Sequence, residues 1–119
     1  MIEHITTRIP RGGYLIEWRN MKANDEGQPI TLESRECLSV MADGIFATGT
    51  ALISGTNYLP TDESQAFILL NDHQGNPLKF ERRGLEKILE NCTQIKPSIT
   101  GGNASTLISI ALLIENAQG

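Results

Sequence analysis

The sequence has few of the residues on which metal sites and disulfide frameworks are built. Its 119 residues include two cysteines, two histidines and one tryptophan. Cys37 and Cys92 are far apart in the chain, and neither forms a CxxC pair or lies near His4 or His73. No structural zinc site is therefore predicted. We interpret the two cysteines as buried free thiols, and a disulfide between them would need an oxidising compartment.

The chain also lacks an excess of positive charge. Ten Lys and Arg residues against fourteen Asp and Glu residues give a formal net charge of −4. Nucleic-acid binding usually needs a basic patch that neutralises several phosphates. The one local cluster, Arg82 and Arg83 with Lys79 and Lys87, is diluted by glutamates on both sides. This pattern is typical of a solvated surface of mixed charge, and no nucleic-acid partner is expected.

Long apolar runs are absent as well. The longest lies within residues 108–114 and is far too short to span a membrane. The N-terminus has no basic region followed by an apolar stretch, so it does not resemble a signal peptide. The chain is therefore expected to be made and folded in a cytoplasm, without a membrane partner.

Catalytic patterns are missing too. Nucleophilic catalysis needs a base beside the nucleophile, and His73 lies in a turn-like stretch of polar residues. The acidic pairs that begin at Asp25 and Asp62 lie in polar loops, where burial would not raise a pKa for acid–base work. The glycines at 101 and 102 are followed by neither a lysine nor a helix, so they do not form a phosphate loop. No enzymatic activity, cofactor or metal is predicted.

What the chain does contain is a series of short strand-like segments separated by turn signals. Tyr14–Met21 alternates between apolar and polar residues with a period of two. Asp43-Gly44, between two such runs, is typical of a tight hairpin turn. In residues 106–115 every second residue from Ile108 to Ile114 is a large aliphatic one, which predicts a central strand. The fold class is therefore all-β, an antiparallel β-sandwich or jelly-roll-like fold of about seven strands.

One segment is expected to be helical. Leu85, Ile88 and Leu89 have the spacing i, i+3, i+4 within residues 84–91, which predicts a short helix with one apolar side. A helix of this length is unstable alone in water, so it would have to pack on an open end of a sheet.

Residues 1–13 are predicted to be an N-terminal arm, and residues 14–119 a single β-sandwich domain. The arm carries Ile2, Ile5 and Ile9 and ends in a Pro-Arg-Gly-Gly cluster that breaks regular structure. Ordering such a segment alone is costly, but burying its isoleucines on a partner would offset that cost.

The arm is therefore the predicted partner-binding site. Its isoleucines would be joined by Arg8 and Arg11, which would meet carboxylates at the rim of the contact. The arm is expected to be mobile in the free protein. Deletion of residues 2–11 is then expected to leave the thermal midpoint nearly unchanged while abolishing attachment to the partner.

Three stretches after residue 45 carry a family resemblance. They are GTALISGTN at 49–57, LNDHQGNPLKF at 70–80, and GLEKILE at 84–90 with IKPSITGG at 95–102. Their order and turn motifs resemble small β-sandwich proteins encoded in the structural-gene regions of tailed bacteriophages. The resemblance does not extend to residues 1–45.

The resemblance implies a non-enzymatic virion structural protein, most like a capsid decoration, or cement, protein. Such a protein lies on the exterior of the head, bridges major capsid subunits and binds no cofactor. Its partners would be the major capsid protein and other copies of itself, as a homo-oligomer on the virion. A tail or connector component, and a module that binds carbohydrate or a host surface, remain as alternatives. For sugar binding Tyr58 is the better candidate, since Tyr14 and Trp18 share a strand face with Ile16 and are interpreted as core residues.

Overall fold

The computed structural model of the chain describes residues 1–10, 12–32, 36–62 and 66–116. Within these ranges the chain forms strands and no helix. In chain order the strands are β1 (Ile5–Arg8), β2 (Tyr14–Met21), β3 (Ile30–Thr31), β4 (Glu36–Ile45), β5 (Gly49–Thr56), β6 (Ile68–Leu69), β7 (Lys79–Phe80), β8 (Gly84–Lys87), β9 (Gln94–Gly101) and β10 (Leu107–Asn116). The all-β fold class predicted from the sequence is confirmed.

The strands form two antiparallel five-stranded sheets. The first sheet has the order β1-β2-β10-β4-β8, and the second has the order β3-β9-β5-β6 with β7 also paired to β5. One hydrophobic core contains buried side chains from both sheets, among them Trp18 and Ile110 of the first and Ile53 and Ile95 of the second. Two sheets that share one core are consistent with a β-sandwich.

The central strand of the first sheet is β10, as the sequence predicts. It pairs with β2 on one side and with β4 on the other. Its four alternate aliphatic residues are all buried, from Ile108 to Ile114. A central strand buries the side chains of one face in the core and forms backbone hydrogen bonds with two neighbouring strands, so its register is strongly fixed.

The segment predicted to be a short helix is a strand. β8 pairs with β4 and places Leu85 opposite Met41. The helical spacing does not mark a buried side, because Leu85 and Leu89 are exposed and only Ile88 packs against the core. A two-turn helix has little stability of its own, whereas the edge of β4 offers backbone hydrogen bonds to a strand. The helix prediction is therefore wrong.

The turn predicted at Asp43-Gly44 is also wrong in position. β4 continues through both residues to Ile45, and the reversal follows it, where Gly49 N–H donates to Phe46 O. Gly44 serves a different purpose, because a Cβ there would collide with the carbonyl oxygen of Leu107 on the neighbouring strand. The glycine is thus required by close approach of two backbones rather than by a turn.

The described chain has ten strands where about seven were predicted from periodicity. β3, β6 and β7 are two residues long, which is too short for an alternating pattern to be recognised. β1 lies within the predicted arm, and β8 lies within the predicted helix.

The buried face of β10 gives a direct test of this fold. Ile110 has no exposed surface, so Ile110→Asp would bury an unpaired charge. We expect a loss of more than about 3 kcal/mol in the free energy of unfolding, measured by urea titration. Leu107→Asp, on the exposed face of the same strand, should cost about 1 kcal/mol or less. A larger loss for Leu107→Asp than for Ile110→Asp would mean that the strand faces the other way.

Candidate interaction surface

The outer face of the first sheet carries a row of apolar side chains. Residues that are directly paired across antiparallel strands point to the same face. The pairings link Ile5, Glu17, Ala111, Met41 and Leu85 from one edge of the sheet to the other. Ile5, Met41 and Leu85 are 45%, 42% and 65% exposed. Three large apolar side chains in one row therefore face solvent.

The next row along the strands continues this surface. It links Thr7, Leu15, Leu113, Ser39 and Lys87, and its two leucines are half-buried. We call the apolar members of both rows the outer patch: Ile5, Leu15, Met41, Leu85, Ala111 and Leu113. The solvent face of an antiparallel sheet is usually polar, so exposed apolar side chains in rows there make this face a candidate contact surface.

Charge within the outer patch is limited. Glu17 is the one charged residue of the first row, and its carboxylate receives hydrogen bonds from Arg19, the shorter at 3.0 Å. This pair leaves little unbalanced charge beside Ile5 and Ala111. The charged residue of the second row, Lys87, lies at the β8 end of that row and is exposed, so the centre of the surface can be covered by another protein without burying an unpaired charge.

The N-terminal segment forms one edge of this sheet. β1 pairs with β2 from Ile5 opposite Glu17 to Arg8 opposite Tyr14. Before β1, Ile2 N–H donates to Glu26 O and Ile2 O accepts from Gln28 N–H, both at 2.8 Å. The Ile2 side chain packs against the core. In the isolated protein this segment is thus held by backbone bonds and by its own core, in contrast to the mobile arm predicted from the sequence.

The five residues predicted to bind a partner have different environments. Ile5 and Arg8 are exposed, while Ile2 and Ile9 are half-buried. Arg11 lies outside the described residues. Ile5 is the member of this set that belongs to the outer patch. Partner binding by these residues stays a prediction, and the geometry favours Ile5 and Arg8 over the other two.

Sequence reasoning missed Met41 and Leu85. Met41 lies between the buried Val40 and Ala42, so the alternation of β4 is enough to place it on the outer face. Leu85 was hidden by its assignment to a helix, in which it would have faced inward. A strand assignment for residues 84–87 would have placed Leu85 on the outer face as well.

The opposite edge of the sheet is formed by β8 and is surrounded by charge. The Arg83 guanidinium donates to Asp43 Oδ1 at 2.9 Å. This bond, together with the Gly44 N–H that donates to the same oxygen, holds the pKa of Asp43 below its usual value. An open cavity of about 650 Å³ lies beside this edge, and Phe80, Arg82 and Glu86 are among its lining residues.

Asp72 organises the turn on the far side of that cavity. Its Oδ1 accepts hydrogen bonds from the backbone N–H groups of Asn76 and Gln74, at 3.0 and 2.9 Å. The bond from Asn76 is the main reason that the pKa of Asp72 is lowered, although its burial acts in the opposite direction. The turn therefore depends on an ionised carboxylate.

The aromatic residues considered for sugar binding have separate locations. Trp18 is 1% exposed and its Nε1 donates to Gln28 O at 3.0 Å, so its interpretation as a core residue is confirmed. Tyr14 is exposed at the start of β2, so the same interpretation is wrong for Tyr14. Tyr58 and Leu59 are both exposed in the loop after β5. No platform of several adjacent exposed rings is formed by these three residues.

The described residues offer little for metal or thiol chemistry. In the ranges given above, no group of three or more His, Cys, Asp and Glu side chains converges as metal ligands. Cys92 is a half-buried free thiol, and burial is the main reason that its pKa is raised. A raised pKa keeps the thiol protonated and poorly nucleophilic. Across the same ranges, no helix has the length and apolar character that a membrane crossing would need.

Truncation tests the placement of the N-terminal segment. Deleting residues 2–11 removes the Ile2 contact with the core and the whole of β1. We expect the thermal midpoint, measured by calorimetry, to fall by the equivalent of about 1–2 kcal/mol, since Ile2 is half-buried and full burial of an isoleucine contributes about 1.5–3 kcal/mol. Ile5→Thr, a change on the exposed face of β1, should leave the midpoint near that of the full chain. An unchanged midpoint for the truncated chain would restore the mobile-arm prediction.

Acidification tests the role of Asp72. The pKa of Asp72 in the folded protein is below the ordinary value of an aspartate, so its contribution to stability is complete above about pH 5 and is lost as the pH falls through the folded pKa. Asp72→Asn removes this titration. We expect the unfolding free energy of the wild type, from urea titrations at several pH values, to fall more steeply on acidification than that of the variant. Gln74→Ala, in the same turn, should keep the wild-type slope; parallel curves for Asp72→Asn would contradict the assignment.

Comparisons with known proteins were made at three levels. The chain matches no protein-family model, no curated protein and no solved structure.

Proposed function

We propose that this protein is a non-enzymatic structural subunit of a tailed-phage virion, and that it is a decoration protein on the exterior of the head. The observation that carries the proposal is the outer patch. Its exposed members Ile5, Met41 and Leu85 lie in one row across the sheet. An exposed apolar sheet face of this kind fits a protein that functions through contacts with neighbouring proteins in an assembly.

We also propose that the two sheets form a jelly roll. The pairs β2–β10, β3–β9, β4–β8 and β5–β6 are nested, so that the first strand of the set pairs with the last. Rolling up such a nested ladder brings β10 beside β4 and β9 beside β5, and both of these pairs are antiparallel. β1 extends the first sheet beyond this set of eight. Jelly rolls recur in viral capsid proteins and in lectins, which supports a virion role.

The family resemblance supplies the phage context. The turn motif at 70–80, which resembles that of small phage structural proteins, holds the Asp72 turn. The acidic net charge and the small size agree with a subunit that binds a large assembly from outside. On this proposal the protein is made in the host cytoplasm and attaches to the capsid exterior, with the major capsid protein as its partner.

A module that binds carbohydrate is the second candidate. Tyr58 and Leu59 favour it, because both are exposed in one loop and an exposed ring can stack on a sugar. A tail or connector component would use the same outer patch as a decoration protein. The particle or ligand that the protein binds distinguishes the carbohydrate module and the tail or connector component from a decoration protein.

Co-sedimentation tests the proposal. The purified protein is mixed with undecorated heads, and separately with tails, of the phage that encodes it. Met41→Asp should reduce the fraction bound to heads by about tenfold or more, because burying an unpaired charge in a contact costs more than about 1.4 kcal/mol. Leu59→Asp, an equally drastic change in an exposed loop, should bind as the wild type does.

Three results would overturn the assignment. Unchanged head binding by Met41→Asp would remove the outer patch from the contact. Binding to tails and not to heads would identify a tail or connector component. Retention of the wild type on a glycan array, lost in Tyr58→Ala, would favour the carbohydrate module.

A further inference from the structure

The β1 edge of the first sheet is open along its whole length. β1 pairs with β2 on one side and is the end strand of the sheet. All four of its residues, Ile5–Arg8, are exposed. Natural proteins protect edge strands with lysine, proline, a bulge or a covering segment. β1 is short but contains neither Lys nor Pro, and its register with β2 continues without a bulge over all its pairs.

The backbone groups of Thr6 and Arg8 point to this open side. Ile9 N–H donates to Gly13 O, which continues the pairing of β1 with β2 beyond the strand. Backbone bonds alternate along an antiparallel pair. The odd-numbered residues of β1 therefore bond to β2, while the N–H and C=O groups of Thr6 and Arg8 point away from it. Within the described ranges, no other segment exchanges a backbone bond with these two residues.

Two copies of this edge match each other in one register. When the two β1 strands lie antiparallel with Thr7 beside Thr7, each Thr6 lies opposite Arg8 of the second copy. Both of these pairs can exchange N–H and C=O bonds, because their backbone groups are the ones that point outward. A two-fold axis at Arg8 would place the two guanidinium groups side by side. An axis at Thr6 would keep only the bonds between the two Thr6 residues within β1.

The side chains agree with the Thr7 register. Ile5 and Thr7 lie on the outer face of the sheet, in the two rows described above, and the alternation places Ile9 on the same face. In this register Ile5 of each copy lies opposite Ile9 of the other, and the two Thr7 side chains are directly opposed. Aliphatic and threonine pairs of this kind stabilise antiparallel strands. Arg8 faces Thr6, so no like charges are directly opposed.

We propose that the β1 edge is a contact between two copies of this chain, related by a two-fold axis at Thr7. The first sheets of the two copies then form one continuous sheet. Because the edge has four residues, the contact is small and belongs to the weak, transient class of interfaces, so the dimer is populated at high protein concentration. The contact involves the isolated protein alone and does not rest on head binding.

Opposite charges at the axis test the register. A residue on the two-fold axis lies beside itself, so Thr7→Lys or Thr7→Glu alone would place like charges together. Each variant should dimerise at least about tenfold more weakly than the wild type in sedimentation velocity at low salt. An equimolar mixture of the two variants should restore the dimer, because opposite charges then meet. Thr7 is exposed, so both variants should fold, and circular dichroism checks this.

A proline tests the use of the edge itself. Thr6→Pro removes an outward N–H and no bond to β2, and proline is tolerated at such an edge position. This variant should be monomeric with a thermal midpoint near that of the wild type. Leu85→Asp is the control, since it places a charge at the opposite edge of the same outer face. It should dimerise as the wild type does.

Each outcome decides a part of the proposal. A wild type that stays monomeric at its highest soluble concentration overturns it, and if Thr6→Pro then also loses head binding, the edge takes a segment of the capsid partner instead. A dimer that persists in a folded Thr6→Pro, or that is lost in Leu85→Asp, excludes the β1 edge. A mixture of the Thr7 variants that fails to dimerise overturns the register. Head binding by a monomeric Thr6→Pro would leave the proposed function intact, so the two failures are distinguishable.

Discussion

Burial of one face of β10 between β2 and β4 is the interaction on which the rest of the structure depends. Ile108, Ile110, Leu112 and Ile114 are all buried, and each neighbouring strand contributes its own alternate residues to the same core. A shift of one residue in either pairing would turn the apolar side chains outward, so burial fixes the register. The register in turn fixes which residues line up on the outer face.

The composition of the outer face follows from that register and is not needed for folding. Met41 and Leu85 could be polar without any loss to the core, since both point away from it. Exposed apolar side chains in line across several strands add aggregation risk unless another molecule covers them. For this reason the outer face of the first sheet is interpreted as an interaction surface rather than as a solvent-exposed face.

The two edges of the first sheet are built differently. The β1 edge is tied to the rest of the domain, because Ile2 pairs with Gly27 and the adjoining Glu26 pairs with Ser98 of β9. The N-terminal residues thus connect the first sheet to the second. The β8 edge is covered beyond Lys87 by the same chain, because Asp72 bridges to Ile88 and Leu89 N–H donates to Asn71 O. Natural proteins commonly cover or protect the edges of their sheets in such ways.

The sequence predicted the parts of the fold that are fixed by local alternation. Tyr14–Met21 and the aliphatic series ending at Ile114 are strands where they were expected. Residues 84–91 failed because a short apolar run fits a helix as well as a strand, and the deciding factor was the free edge of β4, which is remote in sequence. The contacts of Ile2 could not be predicted for the same reason, since its backbone partners at Glu26 and Gln28 cannot be read from its own composition. Met41 could have been predicted as exposed once Val40 was assigned to the core.

Side-chain footprinting on the virion tests the central claim, that the outer face of the first sheet is the contact surface. Hydroxyl-radical labelling with mass spectrometry would compare the free protein with the protein attached to phage heads. The account predicts that Met41 and Ile5 lose most of their reactivity on attachment, while Tyr58 and Leu59 keep theirs. Loss of labelling at Tyr58 and Leu59, with Met41 and Ile5 as reactive as in the free protein, would contradict it.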